Sequence, residues 1–251
     1  MKIPSTALLT TILSLSTLPQ TLAFPTDTTT EIDTLSPRSN PGDSKSNPIK
    51  AQIEIRGSDA LTYDVDCWAM LCKGKSSVMQ KVDTDAADKN RQVDSGSAAN
   101  KQPFKDPSKY GLKASPATNA WGNNQGWVSA EEFPFASTME GGKNAILVGV
   151  TVDSQNEQKT SLRSFYQTNK IKSYDSKTKK ADGSWFEITG FKVKAGKTAN
   201  IGPYCKAFND NKKKGDLCKS TKAVVGDWGF DVAQYAYVYN HSTKKFDYVG
   251  K

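Results

Sequence analysis

The chain has 251 residues, with 34 Lys and Arg, 26 Asp and Glu and one His, giving a formal net charge of +8. That length allows one domain of ordinary size or two small ones. A hydrophobic share of 36% with 10% aromatics excludes a wholly disordered chain, and 24% charged residues is ordinary for a soluble one.

Residues 1–23 start with Lys2, run through ALLTTILSLSTL and end at Thr21-Leu22-Ala23. A basic start, a short apolar stretch and small closing residues are the pattern of a cleaved secretory signal, and Pro4 and Pro19 argue against a membrane span. A secreted, extracellular protein without a membrane partner is expected. Residues 24–50 are rich in Thr, Ser, Pro and Asn and read as a flexible pro-segment or linker. A single domain is expected over 51–251.

AQIEIRG (51–57) and LTYDVDCW (61–68) alternate between apolar and polar, which predicts an N-terminal β-hairpin. Residues 76–93 lack breakers and carry Val78, Met79, Val82, Ala86 and Val93 near helical spacing, which predicts a helix. Residues 94–129 read as loop. A strand is then expected over 131–138, held to an edge or a bulge by Pro134. A turn over 140–144, a buried strand over 145–152 and a helix opening at Asp153-Ser154-Gln155 follow, with Leu162, Phe165 and Tyr166 on one face.

Strand, turn, strand and helix in that order let the first strand and the start of the helix converge. Glu131, Glu132, Asn156, Glu140 and Gln158 are the oxygen-bearing groups available there. Oxygen ligands suit Mg²⁺ or Mn²⁺, which can polarise a phosphodiester and stabilise its leaving oxygen. Neighbouring strand residues point to opposite faces, so one of Glu131 and Glu132 faces a shared ion unless a bulge re-aims them. On the residues alone, a solvent-facing acidic strand end with an Asn helix cap is the weightier reading.

Residues 170–251 hold four β-rich stretches (SWFEITGFKVKAG, TKAVVGDWGF, VAQYAYVYN and KKFDYVG), which predict an antiparallel β extension. Tyr235, Tyr237 and Tyr239 share a strand face, where packing against the sheet is favoured over base stacking. Asn240-His241-Ser242 is an N-glycosylation sequon at a predicted turn. His241, the lone histidine, is expected at the surface there. Residues 24–150 carry 14 basic and 16 acidic side chains, whereas 151–251 carry 19 and 10. Lys177, Lys179, Lys180, Lys212, Lys213 and Lys214, with Tyr174, Trp185 and Phe186 interleaved, fit either a DNA phosphate track or a solvated Lys-rich surface. Four cysteines in an oxidising compartment favour disulfides. Of three connectivities, the local pairs Cys67 with Cys72 and Cys205 with Cys218 are expected.

Residues 131–142, Glu-Glu-Phe-Pro-Phe-Ala-Ser-Thr-Met-Glu-Gly-Gly, resemble the hallmark of the NucA/NucB family of secreted deoxyribonucleases, close to Cys-Asp-Glu-Tyr-Pro-Phe-Ala-Ser-Thr-x-Glu-Gly-Gly. Asn156, Gln158, Leu162, Phe165 and Tyr166 are similar to the signature that follows, and Asp66-Cys67, Cys72 and Asn90-Arg91 to upstream features. The resemblance spans roughly residues 62–167. It implies an α+β fold with a ββα-metal nuclease-like core, and a monomeric hydrolase that cuts DNA phosphodiester bonds with a divalent ion and no histidine base. Carried over residue by residue, it implies Glu131 and Asn156 as metal ligands and Glu131, Glu132 and Glu140 as catalytic groups. Ala130 stands where the family has Cys, Glu131 where it has Asp and Lys159 where it has Gly. Those departures leave a catalytically inactive nucleic-acid-binding or effector protein as the alternative.

Overall fold

The computed structural model describes residues 39–97, 102–113, 115, 126–177, 183–210 and 214–251. The expected signal segment and most of the expected linker lie outside the described residues. The compact unit spans Ser39–Lys251. Among the described residues it is a mixed α+β protein with two sheets and five α-helices. None of those helices is long and apolar enough to cross a membrane.

The first strand, β1 (Ile49–Ile55), forms where expected but finds a different partner. It runs parallel to β5 (Trp185–Val193), whose other edge pairs antiparallel with β2 (Val78–Gln80). The stretch 61–68 is not its hairpin mate. It is helical, within α1 (Leu61–Cys72), and every residue from Leu61 to Met70 is buried. A helix enclosed on all sides needs no polar stripe, so the 3.6-residue period disappears and Asp64 and Asp66 mimic an alternation. Asp59 Oδ1 accepts from Leu61 N at 3.1 Å to start the helix.

The helix expected over 76–93 is divided. Val78–Gln80 joins β5, and Asp83 then caps α2 (Thr84–Lys89) by accepting from Ala86 N at 2.8 Å. A π-helical turn, Asn90–Asp94, follows.

Strand β3 (Ser129–Phe133), strand β4 (Ile146–Val150) and helix α3 (Val152–Thr168) appear in the expected order. β3 is the edge strand of the second sheet, ordered β3-β4-β6-β7, with β6 at Ala236–Asn240 and β7 at Lys245–Tyr248. Pro134 follows a cis peptide just past the end of β3. Thr151, not Asn156, caps α3, its hydroxyl accepting from Ser154 N at 3.1 Å. Ser154, Gln158, Ser161, Phe165 and Tyr166 form the buried face of that helix. The antiparallel extension expected after residue 170 is realised by β6 and β7, whereas β5 runs parallel to β1 and 221–230 has no strand. Tyr235, Tyr237 and Tyr239 are buried, the packing role favoured for them.

Helix α1 is the centre of the molecule. It touches α3, β3 and β4 on the site side and, on another, α4 (Pro203–Asp210) and α5 (Lys214–Lys219). Tyr63 packs on Phe191 of β5, and Phe165, Tyr166 and Phe186 meet edge to face between α3 and β5. Full burial of one such side chain contributes about 1.5–3 kcal/mol.

The disulfides join Cys67 to Cys205 and Cys72 to Cys218, correcting the local pairing. The reason is helix geometry. Five residues apart on α1, Cys67 and Cys72 are displaced about 7.5 Å along the axis and lie on different sides, beyond the reach of one bridge. Both bonds instead pin α1 to the C-terminal helices.

Candidate active site

Glu131 is the middle residue of β3, paired opposite Val148, and only 1% exposed. An acidic strand end facing solvent is therefore not what forms. Its carboxylate faces α3, where Gln155 Nε2 donates to Oε2 at 2.9 Å and Gln158 Nε2 to Oε1 at 2.8 Å. Gln158 Nε2 also donates to Asp66 Oδ2 at 3.1 Å, so one amide bridges two carboxyls carried by α1 and β3. Asp66 and Glu131 are themselves within hydrogen-bonding reach. Burial pushes both acids well above the usual carboxylate range, and the negative charge of Glu131 pushes Asp66 further. On the Glu131 side the hydrogen bonds to Gln158, Asp66 and Gln155 oppose the rise, while the charge of Glu132 adds to it. The pair thus favours holding a proton, or another cation, between its oxygens.

Glu132 points the other way, as strand alternation requires. It is 7% exposed, and Ser97 Oγ donates to its Oε2 at 3.0 Å. Burial raises its carboxyl, while the Ser95 and Ser97 hydroxyls and the charge of Arg91 partly hold it down.

Both glutamates line a cavity of about 840 Å³ between β3, α3 and the π-helical turn. Asn156, exposed in the second turn of α3, is at its mouth. Four cations complete the lining: Lys81, Arg91, Lys159 and Arg163. Lys81 sits 5.0 Å over the Tyr166 ring and donates to Ser173 Oγ at 2.5 Å; partial burial lowers its pKa. The Tyr166 hydroxyl meets Ser137 Oγ at 2.9 Å and ties the loop after β3 to α3.

Glu140 is elsewhere. Its Oε2 accepts from Gln80 N at 3.0 Å, which fixes the loop after β3 to β2, and it does not line the cavity. The same loop is held by Asn90, whose Nδ2 donates to Ala136 O at 2.8 Å and Thr138 O at 3.0 Å. The two glycines have steric reasons. A Cβ on Gly141 would strike the Phe135 carbonyl, and Gly142, at φ +81°, lies against the Asn90 side chain.

Of the lysines expected to contact DNA, Lys177 pairs with Asp85 at 2.6 Å, and Lys214 opens α5. Lys179, Lys180, Lys212 and Lys213 lie outside the described residues. Asn240 donates to Asp247 Oδ2 at 2.8 Å and accepts from Ser242 N and Thr243 N, closing the β6–β7 turn. His241 is half-buried there, 2.7 Å from Asp94 O.

Sequence reasoning missed Asp66 as part of this cluster, because the strand reading of 61–68 hid that α1 carries it to Glu131. It also missed Gln155 and the four cations; the basic residues at i and i+4 on α3, Lys159 and Arg163, were the available signal.

Two buried carboxyls and four cations thus line one cavity of this α+β protein. Residues 66–177, the segment that carries Asp66, the β3–β4 pair and α3, match the family model described as Deoxyribonuclease NucA/NucB. The match upholds the resemblance at family level and covers less than half of the chain. No curated protein and no solved structure matches.

Proposed function

We propose that the chain is a secreted, divalent-metal-dependent deoxyribonuclease that hydrolyses DNA phosphodiester bonds in the cavity between β3, α3 and the π-helical turn. The observation that carries this reading is the sharing of the Gln158 amide by Asp66 and Glu131, with Glu131 on the wall of a cavity that Lys81, Arg91, Lys159 and Arg163 also line. Secretion is supported by two disulfides and by the signal-like residues 1–23.

No three His, Cys, Asp or Glu side chains converge as a ready ligand set among the described residues. The donor chemistry nevertheless fits a hard cation. Every nearby donor is oxygen, and Asp66 Oδ1 and Gln155 Oε1 are buried without a hydrogen-bond partner. Asp66, Glu131 and Gln155 would hold the ion, with Asn156 reaching it directly or through water. A bound Mg²⁺ or Mn²⁺ would polarise the phosphodiester and stabilise the leaving oxygen.

The remaining groups have work that follows from their surroundings. Arg91, Lys159 and Arg163 hold nonbridging phosphate oxygens, and Lys81 adds charge at the Tyr166 side. Glu132, anchored by Ser97, accepts the proton of the attacking water; burial brings its basicity toward neutral pH. Glu140 acts as a positioning residue through Gln80. The longer reach of Glu131 relative to Asp is taken up by Gln155 and Gln158, so the substitution leaves a supported carboxylate rather than a misplaced one. A glycan on Asn240 would first displace its bond to Asp247.

Nicking of supercoiled plasmid tests the reading. The mature protein is expected to nick with Mg²⁺ or Mn²⁺ and to stop with EDTA. Tight DNA binding without any nicking would favour the inactive alternative.

A further inference from the structure

Beside the main cavity is a second pocket of about 200 Å³, lined by Ser97, Gln102, Pro103, Lys105, Val128 and Val152, and also by Ser129 and Ala130. Ser97, Ser129 and Ala130 line both pockets, so the small pocket continues the large one along β3. Its outer wall is held in place. Phe104 is buried against Leu147 and Tyr237, and Gly149 of β4 lets Phe104 and the Trp127 carbonyl approach the strand more closely than any side chain would permit. Pro103 and Lys105 flank this anchor, and Lys105 is exposed with no ion pair among the described residues. The opposite wall is the first residue of α3, Val152, which is 47% exposed although it is apolar.

We propose that this pocket is a nucleotide subsite that takes the single residue of the DNA strand next to the scissile phosphate. Val128, Val152 and Pro103 contact the base, and Lys105 contacts its phosphate. Val128, Val152 and Pro103 offer an apolar flank for the face of a base, Gln102 and Ser129 offer hydrogen-bonding groups for its edge, and Lys105 offers a cation for its phosphate, so the lining matches a nucleobase attached to a phosphate. The volume is below the roughly 300 Å³ at which drug-sized ligand pockets begin, which suits one base and not two. Continuity with the carboxyl-floored cavity sets the order along the strand, with the scissile phosphate in the large pocket and one nucleotide in the small one. Ser97 stands at the junction, its hydroxyl already committed to Glu132. The assignment rests on the nuclease reading for the scissile phosphate, although the pocket's preference for a nucleotide does not.

Calorimetric titration of the folded protein with thymidine 5′-monophosphate and with inorganic phosphate tests it. The nucleotide is expected to bind at least about tenfold more tightly than phosphate. Val152→Trp, which fills the pocket from an exposed position, should bring the nucleotide down to the phosphate level and leave phosphate binding unchanged, whereas Lys105→Ala should weaken both ligands. Equal binding of the two ligands by the wild type, undiminished nucleotide preference in Val152→Trp, or undiminished binding of both ligands in Lys105→Ala, overturns the subsite. Nucleotide preference lost on Val152→Trp in a protein that never nicks DNA would leave the subsite standing and remove the nuclease reading alone.

Discussion

Glu131, Asp66, Glu132 and Asp64 are four buried acids within a small volume, and an isolated ionised carboxylate there would cost far more than its hydrogen bonds return. Each therefore has its pKa raised by burial, Asp64 to about 8. The folded protein consequently holds protons that the unfolded chain releases near pH 4. Stability from these groups is fully present below that pH and declines as pH rises toward the folded values. In the absence of divalent ions, the melting temperature should fall between pH 5 and pH 8. Asp64→Asn removes one of these titrations while keeping an acceptor for Cys205 N, so it should flatten the fall. An unchanged slope in the variant would show that Asp64 ionises freely in the folded state. Mg²⁺ at pH 8 should restore part of the lost melting temperature, because a cation held by Asp66 and Glu131 replaces the proton.

Among the elements, α1 decides both the site and the staples. It places Asp66 against Glu131 and, one residue further on, Cys67 against Cys205. The Cys67–Cys205 bond closes a separation of 138 residues, for which chain entropy predicts roughly 5 kcal/mol of stabilisation. Replacing both cysteines with Ser should lower unfolding stability by about 2–5 kcal/mol in denaturant titration. Peptide mapping without reduction should recover 67 linked to 205 and 72 to 218. The β3, β4 and α3 elements were legible because each has its own local signal: a Pro at the edge strand's end, a continuous apolar run, and polar opening residues before helical spacing. The α1 helix was not, since complete burial erases periodicity and its polar residues answer to partners distant in sequence. Residues 76–93 misled in the opposite sense. Their apolar spacing served two elements, and Asp83 was the unread boundary between them.

Across the whole molecule, the segment that matches the family model ends at residue 177, yet the described protein does not divide there. Both disulfides join a cysteine inside that segment to one beyond it, and β6 extends the sheet that carries Glu131. The charge excess of residues 151–251 suggested a DNA track over clustered lysines. The described cations that line the cavity with Glu131 and Glu132 are Lys81, Arg91, Lys159 and Arg163. If these hold phosphates, Arg91→Ala, Lys159→Ala and Arg163→Ala should each weaken DNA binding and reduce the slope of log affinity against log salt by about 1. Charge reversal at Lys212, Lys213 and Lys214 should have the smaller effect. The opposite ranking would move the DNA path to the C-terminal lysines.

The most direct test of the site is the rate at which Glu131→Gln nicks supercoiled plasmid in Mg²⁺ or Mn²⁺, measured beside its DNA affinity. The amide keeps the size of the side chain and removes its charge. Nicking is predicted to fall by about 100-fold or more with DNA affinity nearly unchanged, as for a group acting on the reaction and not on binding. Nicking at the wild-type rate by Glu131→Gln would contradict the account.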